Sequence, residues 1–469
     1  MSADSFTPAL LVDPSSPAAA AAVPLTPISP ARLEAWRAEQ DEVTRRWLDT
    51  AAFKAEAGSV VLLPGSDGAL ARVIAGTGDG DEAWALAALP GSLPKGCYRL
   101  DPEPEAAATA TALAFGWEMG GYAFSRYKST PPAAGAALVW PAAADRTAVG
   151  RDVAAVTLVR DLINTPAADM GPEELEAAAL ALADAFGATL EVTVGEELER
   201  AGYPAVFAVG KGSSRPPRLI DLRWGDASHP KVTLVGKGVC FDSGGYDLKP
   251  SSGMKLMKKD MGGAANVLGL ARMIMAAGLP VRLRVLVPAV ENMVSGHAMR
   301  PLDVLRTRKG LTVEVGNTDA EGRLILCDAL AEADTEQPEL LIDCATLTGA
   351  ARVAMGAEVV PFFTHDDALA ADLVRHGTAC GEPLWRLPLW KGYRKQLDSK
   401  VADLCNISDS PFGGAITAGL FLAEFVSPAT RWVHIDMYGW NPTARPGRPV
   451  GGEAFALRAL YALIADRFG

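Results

Sequence analysis

Two short segments of the sequence collect side chains that can carry out chemistry. They are Val235–Ala265 and Gly316–Leu324, and both are rich in glycine, which lets backbone and ligands approach closely. The acidic side chains of interest are Asp242, Asp260, Asp319 and Glu321. The basic side chains of interest are Lys237, Lys249 and Arg323.

Carboxylates that converge without a counter-ion repel one another, and their pKa values rise until some of them are protonated. A pair of divalent cations removes this conflict, because two metal ions about 3.5–4 Å apart can share bridging carboxylates and a bridging hydroxide. The two segments therefore favour a two-metal site. Only five of the 469 residues are histidines, so a site built mainly on imidazole is disfavoured.

The elements that must position these side chains alternate along the second part of the chain. Apolar runs predict strands at 190–194, 206–209, 219–224, 232–235, 281–287 and 340–344, and longer periodic segments predict helices that begin near 172, 261 and 320. Strands that alternate with helices predict a mostly parallel, mixed sheet with helices on both faces. In such a sheet we expect the active site at the carboxyl ends of the strands.

The fold class predicted from this pattern is α/β with two domains. Residues 1–30 are rich in Ala and Pro and are expected to form a flexible arm. Residues 31–150 are expected to form a small N-terminal α/β domain. Residues 151–469 are expected to form a larger catalytic domain, after a loop-like stretch near the boundary.

Composition excludes several classes of protein. The net charge of -12 disfavours a nucleic-acid partner, which would need a basic surface. The six cysteines contain no Cys-x-x-Cys pair, and no His-Glu-x-x-His or Gly-x-Ser-x-Gly motif occurs. No run of 18 apolar residues and no basic leader at the N-terminus are present, so we expect a cytoplasmic protein without a membrane partner.

The motifs resemble the signatures of the leucyl aminopeptidase family, the M17 cytosol aminopeptidases. The octapeptide Asn-Thr-Asp-Ala-Glu-Gly-Arg-Leu at Asn317–Leu324 is the hallmark of that family. The spacing Lys-x4-Asp-x6-Lys-x10-Asp, from Lys237 to Asp260, matches as well. The similarity continues through Leu158–Pro166, Ala345–Ala350 and Ala415–Leu422, and so covers most of the chain from about 155 to 440.

The resemblance implies two metal ions in each subunit, Mn²⁺ or Zn²⁺. Asp242 and Glu321 would bridge them. Asp319 would complete one metal site, while Asp260 and the amine of Lys237 would complete the other. A lysine ligand has to be neutral, so the cations would have to depress its pKa strongly.

The resemblance also implies roles for residues that do not bind metal. Lys249 would donate to the developing oxyanion, and Arg323 would bind a bicarbonate ion that carries the proton from the nucleophilic water to the leaving amine. Met257, Thr346 and Gly349 would line the pocket for the first side chain of the substrate. An apolar pocket lined by methionine favours Leu or Met.

The activity implied is that of a metal-dependent aminopeptidase. It would hydrolyse the N-terminal residue, Leu-like with a broad apolar preference, from peptide substrates by means of a hydroxide shared by the metals. Family members assemble as homo-hexamers, two stacked trimers with the sites facing an interior cavity. Two alternatives are a narrower dipeptidase of the Cys-Gly type and an additional DNA-binding or regulatory role.

The sequence departs from the family pattern at two places. Ala168 stands where an Asn is expected, and the segment Tyr438–Val450 does not match the usual C-terminal motif, so it is expected to reshape the substrate entrance. Four further charges lie off the motif spacing and are interpreted as surface charges or as charges around the ligands: Asp247, Lys255, Lys258 and Lys259.

Overall fold

The computed structural model describes residues 8–130 and 135–469. These residues divide into two compact units. The N-terminal unit contains residues 8–130 and 135–157 together with Thr443–Val450. The C-terminal unit contains Leu158–Pro442 and Gly451–Gly469. The limits 31–150 and 151–469 remain predictions from the sequence.

The N-terminal unit is built on one sheet. Its strands are β1 (Leu11–Val12), β2 (Val23–Ile28), β3 (Val60–Pro64), β4 (Leu70–Gly76), β5 (Cys97–Leu100) and β6 (Ala137–Val139). Its helices are α1 (Pro17–Ala20), α2 (Pro30–Ala38), α3 (Glu42–Thr50), α4 (Leu89–Ser92) and α5 (Ala107–Gly120), and α6 (Arg146–Asn164) begins here. The strand order is β1-β6-β5-β2-β4-β3, and only the pair β3–β4 is antiparallel.

The sequence predicts a flexible arm over residues 1–30, whereas the described residues 8–30 contain strands β1 and β2 and helix α1. Residues 1–7 lie outside the described residues. Strand β2 lies in the middle of the sheet between β4 and β5, and its residues Leu25 and Thr26 are fully buried. Pro24 and Pro27 interrupt the strand pattern in the sequence, because proline is usually confined to edge strands. The burial of the neighbouring side chains outweighs that preference.

The C-terminal unit contains the remaining elements. Its strands are β7 (Thr189–Val194), β8 (Arg218–Trp224), β9 (Lys231–Gly236), β10 (Gly238–Asp242), β11 (Arg282–Asn292), β12 (Val304–Arg306), β13 (Thr312–Glu314), β14 (Leu340–Ala345), β15 (Val360–Phe363), β16 (Leu384–Arg386), β17 (Leu404–Cys405), β18 (Trp432–Asp436), β19 (Trp440–Asn441) and β20 (Gly451–Gly452). Its helices are α7 (Pro172–Phe186), α8 (Glu197–Arg200), α9 (Pro204–Gly210), α10 (Ser251–Met254), α11 (Gly262–Ala276), α12 (Glu321–Thr335), α13 (Gly349–Met355), α14 (Asp367–Ala379), α15 (Gly414–Ala423) and α16 (Leu457–Phe468).

The main sheet of this unit is mixed, with a parallel centre. Its order is β16-β15-β18-β14-β9-β11-β8-β7, and β10 pairs with β11 beyond the end of β9. The pairs along β18-β14-β9-β11 are parallel, whereas β15–β18, β11–β8 and β8–β7 are antiparallel. Helices α11 and α12 both pack on the central strands, and α12 also packs on α9 and α15. The predicted fold class, α/β with a mixed sheet flanked by helices, is confirmed.

In the described part of the chain, none of the helices is both long enough and apolar enough to cross a membrane.

The prediction of a strand at residues 206–209 is wrong, because these residues belong to helix α9. The run is short and entirely apolar, and periodicity cannot separate a buried strand from a buried helix of that length. Pro204 occupies the first turn of the helix, where its missing N–H costs nothing. The carboxylate of Asp328 accepts hydrogen bonds from the amides of Ala205 (2.8 Å) and Val206 (3.3 Å). This distant carboxylate therefore holds the start of the helix.

Helix α11 reaches the main sheet through Gly263. A Cβ atom on this residue would lie 2.1 Å from the carbonyl oxygen of Cys344 and 2.9 Å from the amide nitrogen of Lys237. The amide of Ala264 donates to the carbonyl oxygen of Lys237 at 2.9 Å. The start of α11 is thus in direct contact with the backbone at the ends of β9 and β14.

We expect the substitution Gly263→Ala to lower the free energy of unfolding by about 1–3 kcal/mol, because the new methyl group overlaps backbone atoms that cannot rotate away. Chemical denaturation measures the change. Gly296→Ala is the matched control, since a Cβ atom there meets no heavy atom within 4 Å. Equal midpoints for the two variants would contradict this account of the packing.

Candidate active site

One cavity of about 670 Å³ in the C-terminal unit brings together every site residue named from the sequence. Its lining includes Lys237, Asp242, Lys249, Met257, Asp260, Asp319, Glu321, Arg323, Thr346 and Gly349. Strand β10 ends at Asp242, β14 ends immediately before Thr346, and β18 ends at Asp436, which also lines the cavity. The cavity therefore lies at the carboxyl ends of strands in the main sheet.

Three carboxylates form the centre of the cavity. Asp242, Asp319 and Glu321 each offer an oxygen atom, and these atoms lie within 4.8 Å of one another. Asp242 and Glu321 are buried, while Asp319 is half-buried. Such spacing lets one ion contact all three groups.

Lys237 links a fourth carboxylate, that of Asp260, to this cluster. It lies between β9 and β10, and its Nζ is 2.8 Å from Asp260 Oδ2 and 3.1 Å from Glu321 Oε1. The Nζ also donates to the carbonyl oxygen of Thr346 at 2.9 Å. Gly322 leaves room for this side chain, since a Cβ atom there would lie 2.5 Å from the Cε of Lys237. Burial alone would lower the pKa of Lys237, but Asp260 and Glu321 raise it above its ordinary value.

Lys249 provides the second positive charge of the cluster. Its Nζ lies 2.7 Å from Asp242 Oδ2 and also contacts Asp319 Oδ1. Burial opposes the charged form of Lys249, yet the neighbouring carboxylate of Asp242 raises its pKa above the usual value. The two ammonium groups therefore supply positive charge within the acidic cluster.

The carboxylates are only partly compensated by these lysines. Burial, followed by repulsion from Asp242, raises the pKa of Glu321 to about 8 and that of Asp319 to about 6. Burial also opposes ionisation of Asp260, but Lys237 outweighs it and lowers the pKa of Asp260. Without further positive charge, Glu321 favours its protonated form at neutral pH, whereas Asp319 favours it only below about pH 6.

These residues fit divalent metal ions. The buried Oε2 of Glu321 accepts no hydrogen bond from any residue that the structure describes, although an uncompensated carboxylate oxygen is costly to bury. The donor set consists of carboxylates and one amine, which suits hard or intermediate cations such as Mn²⁺ and Zn²⁺. Cations here would remove the repulsion that raises the pKa values.

Asn292 and Thr318 hold the two acidic segments in register. Asn292 Nδ2 donates to Asp242 Oδ1 at 2.8 Å and to the carbonyl oxygen of Thr318 at 3.0 Å. The hydroxyl of Thr318 donates to the carbonyl oxygen of Gly244 at 2.6 Å. Asp247 accepts from the amide of Thr318 at 2.7 Å. The sequence leaves two interpretations of Asp247, a surface charge or a charge around the ligands. Its hydrogen bond with Thr318 favours the second interpretation.

Arg323 is buried at the start of α12. Its Nη1 donates to the carbonyl oxygen of Asn406 at 2.6 Å, while its Nε has no acceptor among residues 8–130 and 135–469. Burial lowers the pKa of Arg323 to about 10, so the guanidinium stays charged at neutral pH. Asn406 also accepts from the amide of Gly316 at 2.8 Å and donates to the carbonyl oxygen of Asn317 at 2.8 Å. Asn406 thereby fixes both the octapeptide and Arg323.

Thr346, which the resemblance implies in the pocket for the first side chain, also contacts two members of the acidic cluster. Its hydroxyl donates to Asp260 Oδ1 at 2.8 Å, in addition to the bond between its carbonyl oxygen and Lys237. Nothing in the sequence separated this role from simple packing. Lys259 also differs from a plain surface charge, because it is buried and lines the cavity. Burial lowers the pKa of Lys259, and the nearby Asp260 acts in the opposite direction.

Comparison with known proteins identifies relatives of the whole chain. Residues 157–461 match the model of the cytosol aminopeptidase family catalytic domain, and residues 23–141 match that of the M17 aminopeptidase N-terminal domain. The crystal structure of a cytosol aminopeptidase from Coxiella burnetii is similar, with 46% identity, a TM-score of 0.92 and coverage of 98% of this chain and 99% of that one.

Two further relatives extend this picture. A probable cytosol aminopeptidase of Syntrophotalea carbinolica is 47% identical over 313 residues, which are 66% of this chain and 63% of the relative. This and similarly ranked curated relatives are matched over 61% to 63% of their own length. The structure of the bottromycin maturation enzyme BotP in complex with Mn is 35% identical, with a TM-score of 0.85 over 95% of this chain and 99% of that one.

We expect the metal-free chain to lose stability relative to its Glu321→Gln variant as the pH rises from about 5 to about 8. The folded state holds a proton on Glu321 up to about pH 8, whereas the unfolded chain releases it near its ordinary pKa of 4.5. The unfolded state is therefore favoured increasingly across this interval. The amide of the variant does not titrate.

Chelator-treated wild type and variant would be unfolded in urea at several pH values in this range. Glu339→Gln, a change of an exposed glutamate, is the matched control. A constant stability difference between wild type and Glu321→Gln would contradict the raised pKa.

We expect Asn292→Leu to weaken metal binding by roughly 10–100-fold, the usual effect of removing a group that orients a ligand. The variant loses the donor that holds Asp242 and the neighbouring segment in register. Calorimetric titration with Mn²⁺ measures the affinity, and circular dichroism confirms that the variant is folded. An unchanged affinity in a folded variant would show that Asn292 does not orient the ligand.

Proposed function

The chain belongs to the cytosol aminopeptidase family, M17, and on that premise we propose that it is a metal-dependent aminopeptidase. It would release the N-terminal residue of peptides, with a broad preference for Leu-like, apolar residues. The observation that carries the proposal is the convergence of Asp242, Asp319 and Glu321 in one cavity with Lys237 and Lys249. Activity, substrates and partners are all part of this proposal.

The proposed ligands divide between two cations, Mn²⁺ or Zn²⁺. Asp242 and Glu321 are assigned to both ions, Asp319 to one, and Asp260 with the amine of Lys237 to the other. When bound, two such ions lower the pKa of a shared water molecule and polarise a peptide carbonyl group. Lys237 can act as a ligand only after it loses its proton, and positive metal charge beside it favours that loss.

Lys249 is proposed to bind the carbonyl oxygen of the substrate. Its contacts with Asp242 and Asp319 weaken when the charge of those carboxylates is taken up by metal ions. The ammonium group is then available to donate to the oxygen on which negative charge develops. A preorganised donor of this kind in a site shielded from water typically supplies a large share of catalysis.

Arg323 is proposed to hold a bicarbonate ion. Its guanidinium is buried, charged and anchored at one nitrogen by Asn406, while its Nε has no partner among the described residues. The planar fork of arginine suits a small oxyanion. Bicarbonate held there would carry a proton from the attacking water to the leaving amine, so that no histidine is required.

The first side chain of the substrate is proposed to enter the part of the cavity lined by Met257, Thr346 and Gly349. Methionine is flexible and polarisable, so this wall can adapt to several apolar side chains. The free amino terminus is proposed to bind one metal ion, which restricts cleavage to the end of a chain. We further propose that the protein acts in the cytoplasm as a homo-hexamer of two stacked trimers.

We expect the metal-depleted chain to be inactive on leucine p-nitroanilide and to regain activity with Mn²⁺ or Zn²⁺. Lys249→Ala should lower kcat by roughly 10²–10³-fold, as expected for a lost oxyanion donor. Glu321→Ala should lower activity and metal affinity together, because it removes a shared ligand.

Lys255→Ala is the matched control, since Lys255 is exposed and lies outside the cavity lining. The proposal fails if folded wild type stays inert with Mn²⁺, Zn²⁺, Co²⁺ and Mg²⁺, or if both active-site variants keep full activity.

A further inference from the structure

One part of the cavity wall carries two cations around a single aromatic ring. The Nζ of Lys259 lies 5.3 Å from the ring centroid of Tyr438, and the Cζ of Arg352 lies 4.9 Å from the same centroid. All three residues line the cavity that holds the acidic cluster. The ring attracts both cations and so offsets part of their mutual repulsion.

This cationic cluster, Lys259, Arg352 and Tyr438, lies next to the wall proposed for the first side chain. A Cβ atom on Gly439 would be 2.9 Å from the Cγ2 of Thr346 and 3.5 Å from the carbonyl oxygen of Lys259. The backbone after Tyr438 and the backbone of Lys259 therefore both pack close to Thr346. A substrate side chain that lies against Thr346 would therefore enter the part of the cavity lined by Lys259 and Tyr438.

Lys259 is buried without a full partner. Its side chain is 7% exposed, and among the described residues it makes no hydrogen bond. The nearest acidic atom is Asp260 Oδ1, at 3.8 Å. That carboxylate already accepts from Thr346 and is paired with Lys237. If Asp260 binds a metal ion as proposed above, its charge is no longer available to Lys259.

Arg352, the second cation of the cluster, also lacks a nearby counter-ion among the described residues. No carboxylate of the described residues lies within ion-pair distance of its guanidinium, which is exposed. Lys259 is the buried cation of the two, and a carboxylate that enters from the substrate would relieve the cost of burying it without a partner. The metal ligands cannot provide that relief once they hold cations.

We propose that the cationic cluster makes the first side-chain pocket accept an acidic N-terminal residue, Glu or Asp, in addition to the apolar residues that Met257 favours. Lys259 and Arg352 would bind the side-chain carboxylate. The inference rests on the proposed aminopeptidase function and adds a substrate class to it. It also gives Tyr438, the first residue of the divergent segment, a defined role in the pocket.

A carboxylate could also come from the C-terminus of a short substrate such as a dipeptide. The two sources share their chemistry, so the substrates in the experiment have to separate them. Amino-acid p-nitroanilides have no C-terminal carboxylate. Glutamine is nearly isosteric with glutamate but neutral, so the ratio of kcat/KM for Glu- and Gln-p-nitroanilide isolates recognition of the side-chain charge.

The test uses the Mn²⁺-loaded wild type and the variants Lys259→Met, Arg352→Met and Lys255→Met. We expect wild type to prefer Glu over Gln by roughly 10-fold or more, the effect of one or two hydrogen bonds to a charged group. The Glu/Gln ratio should fall about 10-fold in Lys259→Met and should fall in Arg352→Met, while Lys255→Met keeps the wild-type ratio. A ratio within one sample does not depend on the fraction of active enzyme.

A wild-type Glu/Gln ratio near one overturns the inference, and so does a ratio that neither pocket variant changes. A preference for Leu-Gly over Leu-Gly-amide that is lost in Lys259→Met, without discrimination of Glu from Gln, would assign the cations to the substrate C-terminus and also overturn it. Hydrolysis of leucine p-nitroanilide in each of these cases leaves the aminopeptidase function standing. Calorimetric binding of L-glutamate against L-glutamine gives a second readout, and Arg352→Met keeps the test valid if Lys259→Met does not fold.

Discussion

The charge balance of four carboxylates around one cavity constrains the rest of this site. Asp242, Asp260 and Glu321 are buried and Asp319 is half-buried, and burial makes each ionised carboxylate costly unless positive charge lies beside it. Lys237 and Lys249 supply that charge in part. The raised pKa values of Glu321 and Asp319 show the remaining deficit. Two divalent cations would remove it and release Lys249 for the substrate.

The fold brings these charges together with parallel strands and with glycines at points of close approach. The ends of β10 and β14 place Asp242 and Thr346 at one edge of the sheet, while Gly322 leaves room for the side chain of Lys237. Hydrogen bonds from Asn292 and Asn406 then fix segments that are distant in sequence. Charges that repel one another are thus held in place partly by neutral amide groups.

Much of the site could be predicted from the sequence, because the acidic and basic residues occur in compact motifs with fixed spacing. Asn292, Thr318 and Asn406 could not, since they act through backbone contacts that depend on the packing of distant segments.

Among the fold elements, the long helices and most strands had clear patterns. Helix α9 did not, because its short apolar run is ambiguous and its start depends on Asp328, over one hundred positions away. Prolines likewise concealed the buried strand β2.

The measurement that tests the central claim most directly is anomalous X-ray diffraction from crystals grown with Mn²⁺. The account requires two anomalous peaks per chain, both in contact with Asp242 and Glu321, one of them beside Asp319 and the other beside Asp260 and Lys237. It also requires that the Nζ of Lys249 has left Asp242 and Asp319. A single peak or none at saturating Mn²⁺, or lysines that keep their ion pairs with the carboxylates, would contradict the claim that metal charge completes this site.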